Sequence, residues 1–128
     1  MALLFPVTHD LSDRVIGAAI SVHRQLGAGL LESAYRRCLF CELTARGLEV
    51  RSEVPVGISY RGTTIEDAFK IDLLVEGQLV VELKAVDKLH PIHTSQVTTY
   101  LKLGGYRAGL LINFNVPVLK DGLKRVLL

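Results

Sequence analysis

Asp72, Glu82 and Lys84 are the side chains of this 128-residue chain that are best suited to chemistry. They lie within residues 69–84, where two segments rich in Val, Leu and Ile meet at Glu76-Gly77. Such segments are typical of a β-hairpin with largely buried strands. A charged group in a buried strand is unfavourable unless it is paired or bound to a metal. Strand formation requires none of these charges, so they are the first candidates for an active site.

The length of the turn decides whether the two acids lie on the same face of the hairpin. A two-residue loop at Glu76-Gly77 places Asp72 and Glu82 on opposite faces, because side chains alternate along a strand. A three-residue loop that begins at residue 75, with Gly77 left-handed as a bulge, pairs Asp72 with Val80. Asp72 then lies diagonally across from Glu82 on one face. We favour the three-residue loop.

Two carboxylates in contact repel each other unless one is protonated or a cation lies between them. Oxygen ligands alone favour a hard ion such as Mg²⁺ or Mn²⁺ over Zn²⁺. The alternative is an exposed acidic pair on a solvated face, with Lys84 as its counter-ion. The D…E-x-K pattern is short and common, so by itself it favours this alternative.

Composition indicates one globular domain spanning residues 1–128, with 49% hydrophobic and 22% charged residues. The net charge is only +2, so a nucleic-acid surface would have to come from local clustering of basic residues. No apolar run is long enough to cross a bilayer, and the first residues lack the basic start of a secretory signal. The sequence therefore predicts a cytoplasmic protein with no membrane contact.

Periodicity predicts helices at residues 11–26, 30–46 and 91–103, and strands at 49–54, 56–61, 65–75, 78–84 and 108–114. The first two helices have apolar faces, which comprise Leu11, Val15, Ala18, Ala19, Val22 and Leu26 in one and Leu31, Ala34, Tyr35, Cys38, Leu39 and Cys41 in the other. Cys38 and Cys41 are interpreted as packing thiols, since no further ligands at zinc spacing accompany them. His23 is interpreted as a packing or hydrogen-bonding residue.

Glu32 is the unexpected residue of the second helix. The spacing of Tyr35, Leu39 and Leu43 directs Glu32 toward a largely apolar side, although an acid in a first turn often only complements the helix dipole. In the third helix Gln96 and Tyr100 are four residues apart and share a face. Here the alternative is a polar residue beside a half-buried aromatic ring.

Four motifs occur in a specific order: G-x-x-E-x-x-Y at residues 29–35, V-V-E-L-K-A at 80–85, Q-x-x-x-Y-L at 96–101 and L-I-N-F at 111–114. Together they resemble the GxxExxY protein family, which is assigned to the PD-(D/E)-x-K nuclease superfamily. The likeness spans residues 22–125. It implies an α/β fold with a PD-(D/E)-x-K nuclease-like core, a central mixed sheet flanked by helices in the order α-α-β-β-β-β-α-β.

The resemblance also assigns roles. Asp72 aligns with the superfamily's Asp, Glu82 and Lys84 with its E-x-K, and Glu32 with its helical Glu, whereas Ile71 replaces the Pro that often precedes the Asp. The implied activity is a nuclease that requires Mg²⁺ or Mn²⁺ and hydrolyses DNA. The catalytic residues would be Glu32, Asp72, Glu82 and Lys84. The metal would be bound by the three acids and the Leu83 backbone carbonyl.

The remaining implied residues concern the substrate and partners. Tyr35, Gln96 and Tyr100 would bind nucleic acid or support the site. Basic residues available for a substrate surface are Arg36, Arg37, Lys88, Lys102, Arg107, Lys124 and Arg125. The rival interpretations are a non-catalytic module that binds nucleic acid or protein, and a structural subunit that pairs with another chain through an apolar edge at 109–114 or 126–128. The expected partners are nucleic acid, most often DNA in this superfamily, and a second copy of the chain in a homodimer.

Overall fold

The computed structural model describes residues 4–128 of the chain, with side chains from residue 9 onward. The elements are α1 (Leu4–Leu26), α2 (Glu32–Ala45), β1 (Val50–Tyr60), β2 (Thr63–Val75), β3 (Leu79–Lys84), α3 (Pro91–Gly104), β4 (Ala108–Asn113) and β5 (Leu123–Leu127), with a 3₁₀ turn at Leu119–Gly122.

The strands form a mixed five-stranded sheet in the order β1-β2-β3-β4-β5. Neighbouring strands are antiparallel except β3 and β4, which are parallel and are joined through α3. Helices α1 and α2 pack on one face of the sheet, and α3 packs on the other. The predicted α/β class, a mixed sheet flanked by helices, is confirmed.

The predicted order of elements requires a correction at two places. The segments predicted as separate strands at 49–54 and 56–61 form the single strand β1, in which Pro55 pairs with Lys70. Pro55 is tolerated because β1 is an edge strand, where a missing N–H costs no ladder bond. The tail contributes a fifth strand, β5, so three strands precede α3 and two follow it.

The first helix buries most of its predicted face. The core contains Leu11, Val15, Ala18, Ala19 and Val22, but Leu26 at the helix end is 39% exposed, contrary to prediction. His23 is buried, and its Nε2 lies 2.8 Å from the Val116 carbonyl oxygen, in agreement with the hydrogen-bonding role expected of it.

The second helix buries Tyr35, Leu39 and Leu43. Leu31, predicted for the same face, lies before the first turn and is 76% exposed. The thiol of Cys38 is partly buried against the core, whereas Cys41 is exposed, so only Cys38 packs as expected. The apolar face is therefore narrower than its sequence pattern indicated.

The register of the β2–β3 hairpin differs from both predicted alternatives. Val75 pairs with Leu79, so the loop is Glu76-Gly77-Gln78. Glu76 and Gly77 both have positive φ angles, of 55° and 66°, and the Gln78 N–H donates to the Val75 carbonyl at 3.0 Å. The loop therefore has three residues, as favoured, but its third residue is Gln78, after the glycine, and not Val75, before Glu76. The register differs from the favoured one by two residues, an even number, so the shared face is retained.

The apolar edge predicted at 109–114 is not an edge. β4 lies between β3 and β5, and its side chains are buried throughout. The exposed apolar residues of this region are Leu127 and Leu128, at 77% and 62% exposure, on and after the edge strand β5.

Candidate active site

The strands β2 and β3 separate at the predicted catalytic acids. The last pair of their ladder is Leu73 with Val81, and the next residues along the two strands are Asp72 and Glu82. Beyond that pair, the Leu83 N–H donates to Asp72 Oδ2 at 2.8 Å. A side chain of β2 thus bonds the backbone of β3 at the fork, and the two acids lie together.

Glu82 is the most unusual side chain of this fork, because it is charged by type but only 5% exposed. Its Oε2 lies 3.5 Å from Lys84 Nζ, and its buried Oε1 has no hydrogen-bond partner within the described residues. Burial raises the pKa of Glu82 to about 8, and the charges of Asp72 and Glu32 act in the same direction. The charge of Lys84 and its hydrogen bond with Glu82 lower the pKa but do not cancel this shift. Near neutral pH, Glu82 therefore largely retains its proton.

Asp72 and Glu32 complete a group of three interacting acids. Burial raises the pKa of Asp72, while the Leu83 N–H and the charges of Arg36 and Lys84 act against this shift. Burial is also the main cause that raises the pKa of Glu32, followed by the charge of Asp72. Glu32 is the first residue of α2, so the helix start carries it to the fork. The structure brings all four predicted catalytic residues together.

Helix α3 brings Gln96 and Tyr100 to the same site. The Tyr100 ring stacks on Phe69 of β2, with centroids 4.1 Å apart and planes 3° from parallel. Burial and then the charge of Glu82 raise the pKa of the Tyr100 hydroxyl, and a hydrogen bond with Gln96 lowers it. The hydroxyl is therefore near the acids and remains protonated at neutral pH.

His93 is a neighbour of the site to which the sequence assigned no role. Its Nδ1 accepts a hydrogen bond from the His90 N–H at 3.1 Å, in the first turn of α3. Burial lowers the pKa of His93, and so does the charge of nearby Lys84. The available signal was its position three residues before Gln96, on the same helical face.

Arg36 is a second residue whose place at the site only the fold reveals. From the sequence, Arg36 was expected only as one of the basic residues of a substrate surface. Its side chain is instead 18% exposed and lies 3.5 Å from Glu53. Its charge lowers the pKa of both Glu32 and Asp72. The four-residue spacing from Glu32 could have indicated this, since residues i and i+4 of a helix are neighbours.

Tyr35 is near the site in sequence but lies within the core. Its buried ring stacks on Phe114 at 4.5 Å, and its hydroxyl donates to the Gly27 carbonyl at 2.5 Å. The hydroxyl also accepts the Leu30 N–H at 3.2 Å. Tyr35 is thus buried away from any nucleic acid. Its two hydrogen bonds hold the loop that precedes Glu32. Of the two roles predicted for Tyr35, only support of the site is therefore compatible with its position.

The other predicted surface cations do not form one patch. Arg125 is bonded to Asp13 on α1, whereas Lys102 and Lys124 line a polar groove beside α3. Arg125 therefore lies on the α1 face of the sheet, and Lys102 and Lys124 lie on the α3 face, so these three cations do not share one surface.

The acids fit a hard cation in part. All three offer oxygen atoms, the ligands that Mg²⁺ and Mn²⁺ prefer, and the unpartnered Oε1 of Glu82 is the kind of buried atom that a cation would satisfy. However, no three His, Cys, Asp or Glu side chains in the described part of the chain are already placed to hold a metal ion. Asp72 and Glu82 fit as the central pair, and Glu32 is the third acid whose charge reaches them.

Comparison with known proteins agrees with this geometry. The family model described as PD-(D/E)XK nuclease superfamily matches residues 9–126. Because the match covers nearly the whole chain, the chain belongs to the PD-(D/E)XK nuclease superfamily. No curated protein sequence and no solved structure matches the chain significantly. None of the described helices has the length and apolarity that a membrane span requires.

Proposed function

We propose that this chain is a metal-dependent nuclease of the GxxExxY branch that hydrolyses phosphodiester bonds in DNA. One observation carries the proposal. Glu82 is buried at a strand fork with its pKa raised to about 8, one oxygen unpartnered, and two further acids and Lys84 around it. Such an arrangement destabilises the metal-free protein, and perturbed acids of this kind concentrate at functional sites.

Asp72 and Glu82 would hold Mg²⁺ or Mn²⁺, with Glu32 joining directly or through water and the Leu83 carbonyl as a further ligand. The bound ion would lower the pKa of its water and offset negative charge on the phosphoryl oxygens. Asp72 keeps one oxygen on the Leu83 N–H, which fixes its orientation. The chain thus supplies an oriented acid and a buried acid to the same position.

Lys84 and the α3 side chains have separate tasks in this proposal. The Lys84 ammonium orients the attacking water and stabilises the negative charge that develops in the transition state. Gln96 and Tyr100 brace the site and contact the nucleic acid backbone. Tyr100 suits that contact because its protonated hydroxyl can donate a hydrogen bond to a phosphate oxygen.

The test is a cleavage assay on plasmid and linear DNA, with matched RNA strands, in Mg²⁺, Mn²⁺ or chelator. Wild-type protein should cleave DNA with either ion and not with chelator, and Glu82→Gln should be inactive. Glu66→Gln is the control, because Glu66 is an exposed acid on the same sheet. Absence of cleavage by the wild type under all these conditions would overturn the proposal.

The second candidate is a non-catalytic module that binds nucleic acid. It is favoured by the lack of a preformed three-ligand group in the described residues and by the engagement of Asp72 with the Leu83 N–H. It predicts DNA binding that is unaffected by chelator and by Glu82→Gln. A nuclease requires the opposite, since three acids without metal repel phosphate.

The proposed function also includes three broader predictions, which concern the domain extent, the cellular location and the self-association of the chain. Residues 1–128 form one domain, the protein acts in the cytoplasm, and two copies associate through the exposed edge of β5. Leu127 and Leu128 are the apolar residues available there. Elution volume of the wild type against Leu127→Ser tests the association.

A further inference from the structure

An open groove of about 380 Å³ lies between α3 and the outer part of the β1–β2 hairpin. The residues of β2 that precede Leu73 pair with β1 and not with β3, so this part of the hairpin extends beyond the rest of the sheet. Gln96 and Tyr100 line the groove as well as the candidate active site. The groove is therefore continuous with the site.

On the helix side, the groove is lined by apolar side chains of α3 that are not part of the hydrophobic core. Val97 and Leu101 are the core residues of α3, whereas Ile92 and Leu103 line the groove and are 69% and 50% exposed. Ile58 on β1 faces them from the hairpin. Large apolar side chains exposed together around a concave surface indicate a binding site.

Two aromatic rings are part of the groove lining. Phe69 and Tyr100 form a parallel stack there, which fixes the orientation of the Tyr100 ring. Polar groups are interspersed with the apolar ones, namely the amide of Gln96 and the hydroxyls of Ser95 and Thr99. A flat ligand with apolar faces and a hydrogen-bonding rim matches this lining.

We propose that the groove binds one nucleobase of the substrate strand, next to the phosphate that is cleaved. The inference rests on the proposed function and adds a substrate class to it. A base can enter the groove only when it is out of the duplex stack, so the preferred substrates are single strands, tails and flaps. Stacking and a few rim contacts tolerate every base, which predicts little sequence preference.

The nucleobase is favoured over a protein segment because the groove shares Tyr100 with the acids. Any strand whose phosphate reaches Glu82 has its neighbouring nucleotide beside the Tyr100 ring. A protein partner in the groove would instead obstruct the site. The lining also lacks lysine and arginine, so it suits a base better than a phosphate.

The test measures binding of a labelled DNA hairpin with a short single-stranded tail of nuclease-resistant phosphorothioate linkages, in Mg²⁺, by fluorescence anisotropy. One abasic position is moved along the tail, which limits the number of binding registers. Wild-type protein should lose affinity by about five- to a hundredfold at one position, the effect of removing one stacked base. The double variant Ile92→Ser/Leu103→Ser should bind the intact tail as weakly as the wild type binds that abasic tail. Both side chains are exposed, so the variant should fold.

Val118→Ser is the matched control, because Val118 is 57% exposed and lies outside the groove. It should retain the full sensitivity to the abasic position. Equal wild-type affinity for every abasic tail would overturn the inference, as would undiminished sensitivity in the double variant. A double variant that changes elution volume but not DNA affinity would also overturn it, in favour of a protein partner.

The outcomes separate this inference from the nuclease proposal. Abasic-sensitive binding without any cleavage supports the groove and contradicts the nuclease. Metal-dependent cleavage combined with binding that is equal for every abasic position supports the nuclease and contradicts the groove. Absence of any DNA binding contradicts both.

Discussion

Asp72 Oδ2 accepts the backbone N–H of Leu83 at 2.8 Å, so a predicted catalytic acid also closes the fork between β2 and β3. Leu83 is fully buried, so removal of that oxygen takes the acceptor from a buried N–H. A buried donor without an acceptor costs about 1–3 kcal/mol. The two tasks of Asp72 can be separated by choosing the substitution.

Asp72→Asn should keep the fold and lose metal-dependent cleavage, since the amide oxygen can still accept the Leu83 N–H but the negative charge is gone. Asp72→Ala should also be inactive, and it should melt several degrees lower, as about 1 kcal/mol or more lowers the melting temperature of a small domain by that amount. Thermal melts in chelator and plasmid cleavage measure the two effects. An Asp72→Asn protein that cleaves like the wild type would remove Asp72 from the site.

Stability without metal should fall as the pH rises from about 5 to 8.5. The native pKa of Glu82 is about 8, against an ordinary value of 4.5 in the unfolded chain, so between these values the native state holds a proton that the unfolded state has lost. The contribution is complete below pH 4.5 and is lost as the pH rises through about 8. Urea unfolding in chelator at three pH values measures it.

Glu82→Gln is the control for this pH dependence, because the amide does not titrate. As the pH increases, the free energy of unfolding of the wild type should decrease relative to that of Glu82→Gln. Parallel pH profiles for the two proteins would show that Glu82 is not held protonated.

Magnesium should stabilise the wild type, and more strongly at pH 8 than at pH 6. The ion binds the native site and not the unfolded chain, so it raises the melting temperature by mass action. The pH effect follows because Glu82 must release its proton before it can act as a ligand. Thermal melts with Mg²⁺, Mn²⁺ and Ca²⁺ at both pH values, against chelator, provide the measurement. A melting temperature that ignores all three ions at millimolar concentration favours the non-catalytic module.

Glu32→Gln should weaken metal affinity by about ten- to a hundredfold, the effect of losing a supporting group of a metal site. Activity should partly return at high metal concentration, because Asp72 and Glu82 remain. If Glu32 only complements the helix dipole, the change should cost a few tenths of a kcal/mol in stability and nothing in activity. Metal titrations of cleavage decide between the two.

Glu42→Gln is the control on the same helix. Glu42 forms an exposed pair with Arg46 at 2.8 Å, so its loss should cost only a few tenths of a kcal/mol and should leave the metal titration unchanged. Superimposable titration curves for Glu32→Gln and Glu42→Gln would reduce Glu32 to a helix-end charge.

The sequence by itself determined the elements and the face that the acids share. Burial of Val15, Ala18 and Val22 follows from local periodicity, because a helix places such residues on one side whatever it packs against. The same argument placed Asp72 and Glu82 together, since the shared face depends only on whether the register is odd or even. The prediction of a shared face was therefore correct although the predicted register was not.

Tertiary structure alone decided what depends on segments distant in the sequence. The turn geometry at Glu76-Gly77 set the register, and the pairing of β4 with β5 turned an apparent tail into a strand. The bond from Leu83 to Asp72 exists only because β2 and β3 diverge. The pKa of Glu82 near 8 likewise requires burial, which arises only when the helices pack on the sheet. Local pattern encodes which side of an element is buried, whereas desolvation and charge contacts arise only when the elements pack.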